Sequence, residues 1–151
     1  MRGSIKGSVR SSAFDGDGVT LVDREIIKDG VATALWGGTR FAQYLNEQPT
    51  GNLGCISLEC GTLTDAEKNS APYFRCASMS GLQVDIYNDY IGGEVRLGYY
   101  FDGEREIPVT GISISGKLSE ALKNMRLSDE AVTYESYNGP KCAIFGGIEI
   151  V

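Results

Sequence analysis

The sequence predicts a mostly β (α+β) fold: a single domain of antiparallel sheet, sandwich- or barrel-like, with two short helices at about 39–46 and 117–126. Three observations predict it. Asp29-Gly30 and Asp102-Gly103 each sit between alternating apolar runs, the sequence form of a two-residue type I′ hairpin. Glycine makes up 20 of 151 residues, about twice its usual ~7% share, which implies many turns and therefore many short strands. Only two segments carry apolar residues at helical spacing.

Residues 1–18, rich in Gly and Ser, show little apolar periodicity and read as a loose N-terminal segment ahead of a domain over 19–151. Asp15-Gly16-Asp17-Gly18 has the opening of a calcium loop. Its twelfth position is Ile26 where a bidentate Glu belongs, so a turn is the better reading. Val19 to Lys28 alternates as a strand, Asp29-Gly30 turns it, and Val31 to Trp36 returns. Gly37-Gly38 ends that strand, Thr39 is placed to cap a helix, and Phe41, Ala42, Tyr44 and Leu45 give about two helical turns before Pro49 and Gly51 stop it.

Leu53 to Thr64 reads as a strand pair or one bulged strand, and Asp65 to Pro72 as a polar loop. Tyr73 to Met79 and Leu82 to Tyr90 are strands around Ser80-Gly81, and Gly92-Gly93 opens the central hairpin. In that hairpin Val95 to Phe101 is expected to pair with Glu104 to Ser115 through a turn at Asp102-Gly103. Pro108 cannot donate to a ladder, which puts its strand at an edge or gives it a bulge. After Ser115 the period becomes helical, and Leu118, Ala121, Leu122 and Met125 form an apolar stripe expected to be buried while Lys117 faces solvent. Ala131 to Tyr137 and Cys142 to Val151 are closing strands around an Asn138-Gly139-Pro140 turn, with Ile148 to Val151 at a sheet edge.

Composition removes several functions. The formal charge of −6, with no Lys/Arg cluster, argues against nucleic acid as a partner. No apolar run approaches the ~20 residues that span a bilayer and MRGSIKGSVR has no signal-peptide core, so no membrane partner is expected and the cytoplasm is the expected location. Cys55, Cys60, Cys76 and Cys142 match no metal or redox spacing and read as reduced, buried thiols. The chain has no histidine, which removes imidazole triads and His-based zinc sites.

Three constellations invite chemistry. Gly111 to Lys117 fits seven positions of a P-loop, but Leu118 stands where a Ser or Thr would meet Mg²⁺ and the intervening residues alternate as a strand. Asp102, Glu104 and Glu106 cluster, though on a hairpin tip beside Arg105 and Arg96 they read as a solvated face. Trp36, beside Gly37-Gly38, is a binding aromatic or a core residue. No catalytic residues and no metal ligands are assigned from these patterns.

The order of several short motifs resembles the C-terminal half of the TldD/PmbA family, also called modulators of DNA gyrase or peptide-maturation proteases. Ser12-Ala13-Phe14-Asp15-Gly16-Asp17-Gly18-Val19 is similar to the family's Phe-Asp-x-Glu-Gly-Val stretch, and Glu25 to Val31 to its Ile-x-Asp-Gly-Val turn. Arg40 to Asn52, with Pro49-Thr50-Gly51-Asn52, resembles its helix and Ser-Thr-Gly-Asn. Gly98-Tyr99-Tyr100 through Pro108-Val109-Thr110-Gly111, Ile114-Ser115-Gly116 and Leu122-Lys123-Asn124 resembles its hairpin and following helix, and Pro140 to Ile148 its closing strand. With Trp36, the Thr50, Gly51 and Asn52 of the Ser-Thr-Gly-Asn-like motif are the candidate binding residues. The resemblance implies a non-catalytic scaffold and subunit-contact domain in a cytoplasmic peptidase system acting in proteolysis or peptide maturation. Catalytic members carry a His-Glu-x-x-x-His helix that this chain lacks, and a Cys ligand before the closing strand. Arg126 to Asn138 has no cysteine and Cys142 lies inside the expected closing strand, so the pattern is nearer the metal-free PmbA-like members. Zinc is accordingly expected only in a catalytic family partner. The implied partners are the family's N-terminal half, a TldD-like subunit, or a second copy in a homodimer. The alternative is a stand-alone binding module that uses an exposed strand edge such as Ile148 to Val151.

Overall fold

The computed structural model describes residues 1–151. Its elements, in chain order, begin with β1 (Ile27–Lys28), β2 (Val31–Ala32), α1 (Thr39–Leu45), β3 (Ile56–Ser57) and α2 (Asp65–Lys68). Then come β4 (Tyr73–Asp85), β5 (Tyr90–Phe101), β6 (Glu106–Val109), β7 (Ile112–Lys117) and α3 (Leu118–Lys123). The chain closes with β8 (Arg126–Leu127), β9 (Ala131–Tyr134), β10 (Tyr137–Pro140), β11 (Ala143–Ile144) and β12 (Ile148–Ile150). The expected class holds: strands dominate, nearly all pairs are antiparallel, and helices are short, although no sheet closes into a barrel. No helix is long and apolar enough to cross a membrane.

The contacts fall into two compact units, one of residues 1–59 with 131–140 and one of 60–130 with 141–151. In the first, the N-terminal segment expected to be loose is tied by backbone bonds. Arg2 exchanges both bonds with Cys55 at 2.8 and 3.2 Å, and Leu21 donates to Ala13. The Asp29-Gly30 turn has φ of 50° and 77°, as a type I′ hairpin requires. The strands it joins are far shorter than the alternation implied, because residues 21, 22 and 24 bond to loop residues 13, 50 and 1 in place of a ladder. Gly38, and not Thr39, is the N-cap of α1, with no side-chain cap bond. β3 runs parallel to β10, and β10 pairs antiparallel with β9. The turn between β9 and β10 falls at Glu135 (φ 47°), so Asn138-Gly139-Pro140 lies within a strand and is not the expected turn. Ala42, Leu53 and Cys55 form the buried core of this unit.

The second unit is a five-stranded antiparallel sheet in the order β12-β7-β5-β4, with β6 also paired to β5. Residues 73–85, expected as parts of two strands, are one strand that continues through a bulge where Gly81-Leu82 stand opposite Gly93. Gly92 and Gly93 therefore lie inside β5. Gly98 lies beneath the Phe74 ring, which occupies the space a Cβ would need. β6 and β7 hold one continuous register against β5, interrupted only at Thr110-Gly111, and Pro108 sits in β6 at the sheet margin, as its missing N–H demands. The β5–β6 connection is a four-residue loop in place of a two-residue turn: Asp102 Oδ1 accepts from the Glu104 and Arg105 N–H groups, each at 2.9 Å.

α3 differs most from expectation. It stops at Lys123, so Met125 lies beyond the helix end, and of the other three stripe residues only Ala121 is fully buried, Leu118 being half-buried and Leu122 52% exposed. Lys117 is exposed, as expected. Asp89, held at φ 50°, caps this helix, its carboxylate accepting from the Ser119 N–H and Oγ–H, both at 2.7 Å. The expected polar loop at 65–72 contains α2, begun by a capping box in which Thr64 Oγ1 accepts from the Glu67 N–H and Glu67 Oε2 accepts from the Thr64 N–H. Arg126 Nη2 donates to Glu67 Oε1 at 3.1 Å.

These bonds, the Thr64 N–H first and then Arg126, hold the Glu67 carboxyl at about 2, against an ordinary 4.5. A depressed acid stabilises the fold above its unfolded value and loses that contribution as pH falls from about 4.5 towards 2. The urea midpoint should therefore decline through that window, and Glu67→Gln should flatten the decline while lowering the neutral-pH midpoint.

Candidate functional site

A cleft of about 450 Å³ lies within the first unit, and its lining runs over Ala32–Gly37, the α1 residues Phe41, Ala42 and Leu45, and Glu47, Gln48, Thr50 and Arg24. The β1–β2 hairpin delivers the 32–37 wall. The two walls are locked at Thr50: its Oγ1 accepts from the Gly37 N–H at 3.1 Å, and its N–H donates to the Gly37 carbonyl at 3.2 Å. Thr50 is only 3% exposed, so both bonds are shielded from water.

The four sequence candidates are brought together here, but only partly inside the cleft. Trp36 lines it and is 46% exposed. Thr50 is its floor. Gly51 and Asn52 stand behind. Gly51 has φ 76° and its missing side chain leaves the space that Leu21 fills, while the Asn52 N–H donates to Asp15 Oδ2 at 3.1 Å. Burial works to raise the Asp15 carboxyl, but bonds from the Val19, Asp17 and Asn52 N–H groups outweigh it and the net shift is downward. The Asp15–Asp17 segment is thus a hydrogen-bonded turn anchoring the Thr50 loop. Sequence reasoning missed Arg24, Leu35, Phe41 and Leu45. No signal singles out Arg24, which stands between Asp23 and Glu25 and reads as one of a solvated set of charges.

The other constellations are structural. Glu106 is bound by Arg75, whose Nε and Nη2 donate at 3.1 and 2.8 Å, and Asp102 pairs with Arg105. Arg96, expected to neutralise this cluster, donates to Ser80 Oγ at 3.2 Å. Gly111 to Lys117 is mainly strand β7 and forms no cradle. All four cysteines are free, but only Cys55 is fully buried; Cys142 is half-buried, and Cys60 and Cys76 are exposed. Although Cys76 is exposed as a residue, desolvation around its sulfur pushes the thiol up and makes it a poorer nucleophile. Cys142 lies in the irregular segment before β11 and not inside a closing strand, with its carbonyl accepting from the Ser128 N–H. No three His, Cys, Asp or Glu side chains converge.

Residues 1–150 match the family described as the PmbA/TldA metallopeptidase C-terminal domain. The chain is 28% identical over 134 residues to the Metalloprotease PmbA homolog of Haemophilus influenzae, covering 83% of this chain and 29% of that protein. Its fold is similar to two crystal structures of proposed DNA gyrase modulators. For the Thermotoga maritima protein the TM-score is 0.69 at 16% identity, over 91% of this chain and 35% of that one. For the Bacteroides thetaiotaomicron protein it is 0.71 at 16% identity, over 93% and 33%. The chain spans about a third of the length of these relatives.

The lock at Thr50 carries a stability prediction. Thr50→Val leaves the Gly37 N–H without its partner and should cost about 1–3 kcal/mol. Gly51→Ala, strained at positive φ and crowded by Leu21, should cost at least ~1 kcal/mol. Urea unfolding followed by emission of Trp36, the only tryptophan, measures both.

Proposed function

Because the chain belongs to the PmbA/TldA metallopeptidase C-terminal domain family, we propose that it is a non-catalytic scaffold and subunit-contact domain of a cytoplasmic PmbA/TldD-like peptidase system. The observation that carries this reading is the tip of the β4–β5 hairpin. Strands of 13 and 12 residues, the longer reaching ~40 Å, lead to a turn where Ile86 is 70% and Tyr87 93% exposed, with Leu82 and Val84 also uncovered on β4. The turn is held in shape by Asp85, whose Oδ1 accepts from the Tyr87 and Asn88 N–H groups and whose Oδ2 accepts from Asn88 Nδ2. A pre-ordered apolar projection loses little entropy on association and suits a protein contact. The absence of histidine and of a converging donor set supports assigning the zinc and the peptide chemistry to a partner bearing a His-Glu-x-x-x-His helix. That partner is the N-terminal half of a family member or a TldD-like subunit, while a second copy of this chain, which has no histidine, adds contacts and no zinc.

Two experiments test it. The purified chain with zinc should not cleave unfolded peptides, and robust metal-dependent cleavage would overturn the non-catalytic assignment. Ile86→Ser with Tyr87→Ser should weaken association with an N-terminal half or TldD-like subunit roughly 30-fold, the loss of ~2 kcal/mol at an apolar anchor, without changing the circular dichroism spectrum. A second reading, a stand-alone peptide-binding module, is favoured by the outermost position of β12 in its sheet. Val151 exchanges bonds with Ser113 on β7, which turns the Ile150 N–H outward. On that reading the isolated chain binds extended peptides without a family partner, and Ile150→Pro removes the binding.

A further inference from the structure

The cleft of the first unit contains a cation that no ion pair holds. Arg24 Nε is buried and has no hydrogen-bond partner, and the ion pairs of this unit, Arg2–Asp23 and Lys28–Glu25, leave Arg24 out. A guanidinium cannot discharge itself by losing a proton, so a buried, unsatisfied N–H on it is costly unless an acceptor arrives. Around it stand apolar side chains that nothing covers: Leu35, Trp36, Phe41 and Leu45 are all between 46 and 66% exposed. Between these walls the backbone N–H and C=O groups of Ala34, Leu35 and Trp36 make no hydrogen bond within the chain.

We propose that this cleft is a binding site for a peptide segment in which a carboxylate side chain lies next to a large apolar one. Arg24 is half-buried, and the carboxylate sits on the outer edge of its guanidinium, where the two Nη groups match two carboxylate oxygens. The apolar neighbour fills the space between Trp36 and the Phe41–Leu45 face of α1. The unengaged backbone of Ala34 to Trp36 selects a peptide over a fatty acid or a free dicarboxylate, since only a peptide brings main-chain donors and acceptors to meet it. Glu47 also lines the cleft and opposes an acidic ligand, which limits affinity and gives an internal control. The site shares no residue with the β4–β5 tip and stands whether or not the tip mediates assembly.

Trp36 makes the test direct, because the cleft contains the only tryptophan. The intact chain is titrated with the blocked peptide acetyl-Ala-Glu-Leu-Ala-amide and with its Gln twin while Trp36 emission is recorded. The Glu peptide should shift the emission saturably and bind about 10-fold or more tightly than the Gln peptide, a difference of ~1.4 kcal/mol. Arg24→Gln should abolish the difference, Arg24→Lys should keep part of it, and Glu47→Gln should tighten the Glu peptide. Sodium acetate at equal concentration should compete poorly. Equal binding of the Glu and Gln peptides, no saturable change up to ~10 mM, or a Glu preference that survives in Arg24→Gln would overturn the proposal. Acetate competing as well as the peptide would reduce the site to a simple anion site and would equally overturn the peptide assignment. If Arg24→Gln fails to fold, the comparison of the two peptides on the unaltered chain still decides.

Discussion

Strand β5 is paired on both sides along almost all of its length, with β4 on one flank and β7 then β6 on the other, and the second unit is positioned by that double ladder. A strand in this position has few spare backbone groups and must accept a neighbour along each edge. Its composition meets the demand. Val95 is fully buried, Gly98 leaves room for the Phe74 ring, and Gly93 lets the bulged Gly81-Leu82 segment approach closely. The ladder also carries the β4–β5 turn, and through Asp89 it fixes the start of α3. Aromatic contacts add to it at the far end, where Tyr73 stacks on Phe101 at 5.0 Å and Arg75 covers the Tyr99 ring at 4.3 Å.

What was legible follows from the range of the forces involved. Short-range signals read correctly: the Asp29-Gly30 turn, the margin position of Pro108, the β5–β6–β7 pairing, and the positions of two helices. The misreadings concern where a pattern stops. Val19 to Lys28 alternates as a strand should, yet its early residues bond to the N-terminal segment and to the Thr50 loop, which no local window contains. Leu118 to Met125 has helical spacing, but α3 ends before Met125 and buries only Ala121 fully, leaving Leu122 in solvent. The opposite error occurs at Thr64, where Thr-x-x-Glu is a readable start signal for a helix with no apolar run behind it to make it conspicuous.

The candidate site divides in the same way. Trp36, Thr50, Gly51 and Asn52 could be picked out because glycine, a lone tryptophan and a Pro-Thr-Gly-Asn run are distinctive in composition. Their division of labour could not, since it depends on the Thr50–Gly37 bonds across 13 residues and on the reach of Asp15 to Asn52 across 37. Arg24 is the extreme case. Its neighbours in sequence are acids, yet Asp23 is held by Arg2 and the Gly3 N–H, and Glu25 by Lys28. Charges adjacent along a chain are poor guides to charges adjacent in space.

The first unit is assembled from two stretches separated by seventy-one residues, and its parallel β3–β10 pair joins partners about eighty positions apart. A nascent chain that has emerged only to residue 59 holds β3 without its ladder, and the Ile56 N–H must wait for the Ser136 carbonyl. The intervening five-stranded sheet, built on a hairpin of local contacts, lacks only β12 from its continuous stretch of sequence, and such local pairings close with little loop entropy. The early stretch is thus secured by residues that lie far along the chain, and losing 131–140 strips β3 of its ladder as surely as a change in β3 itself.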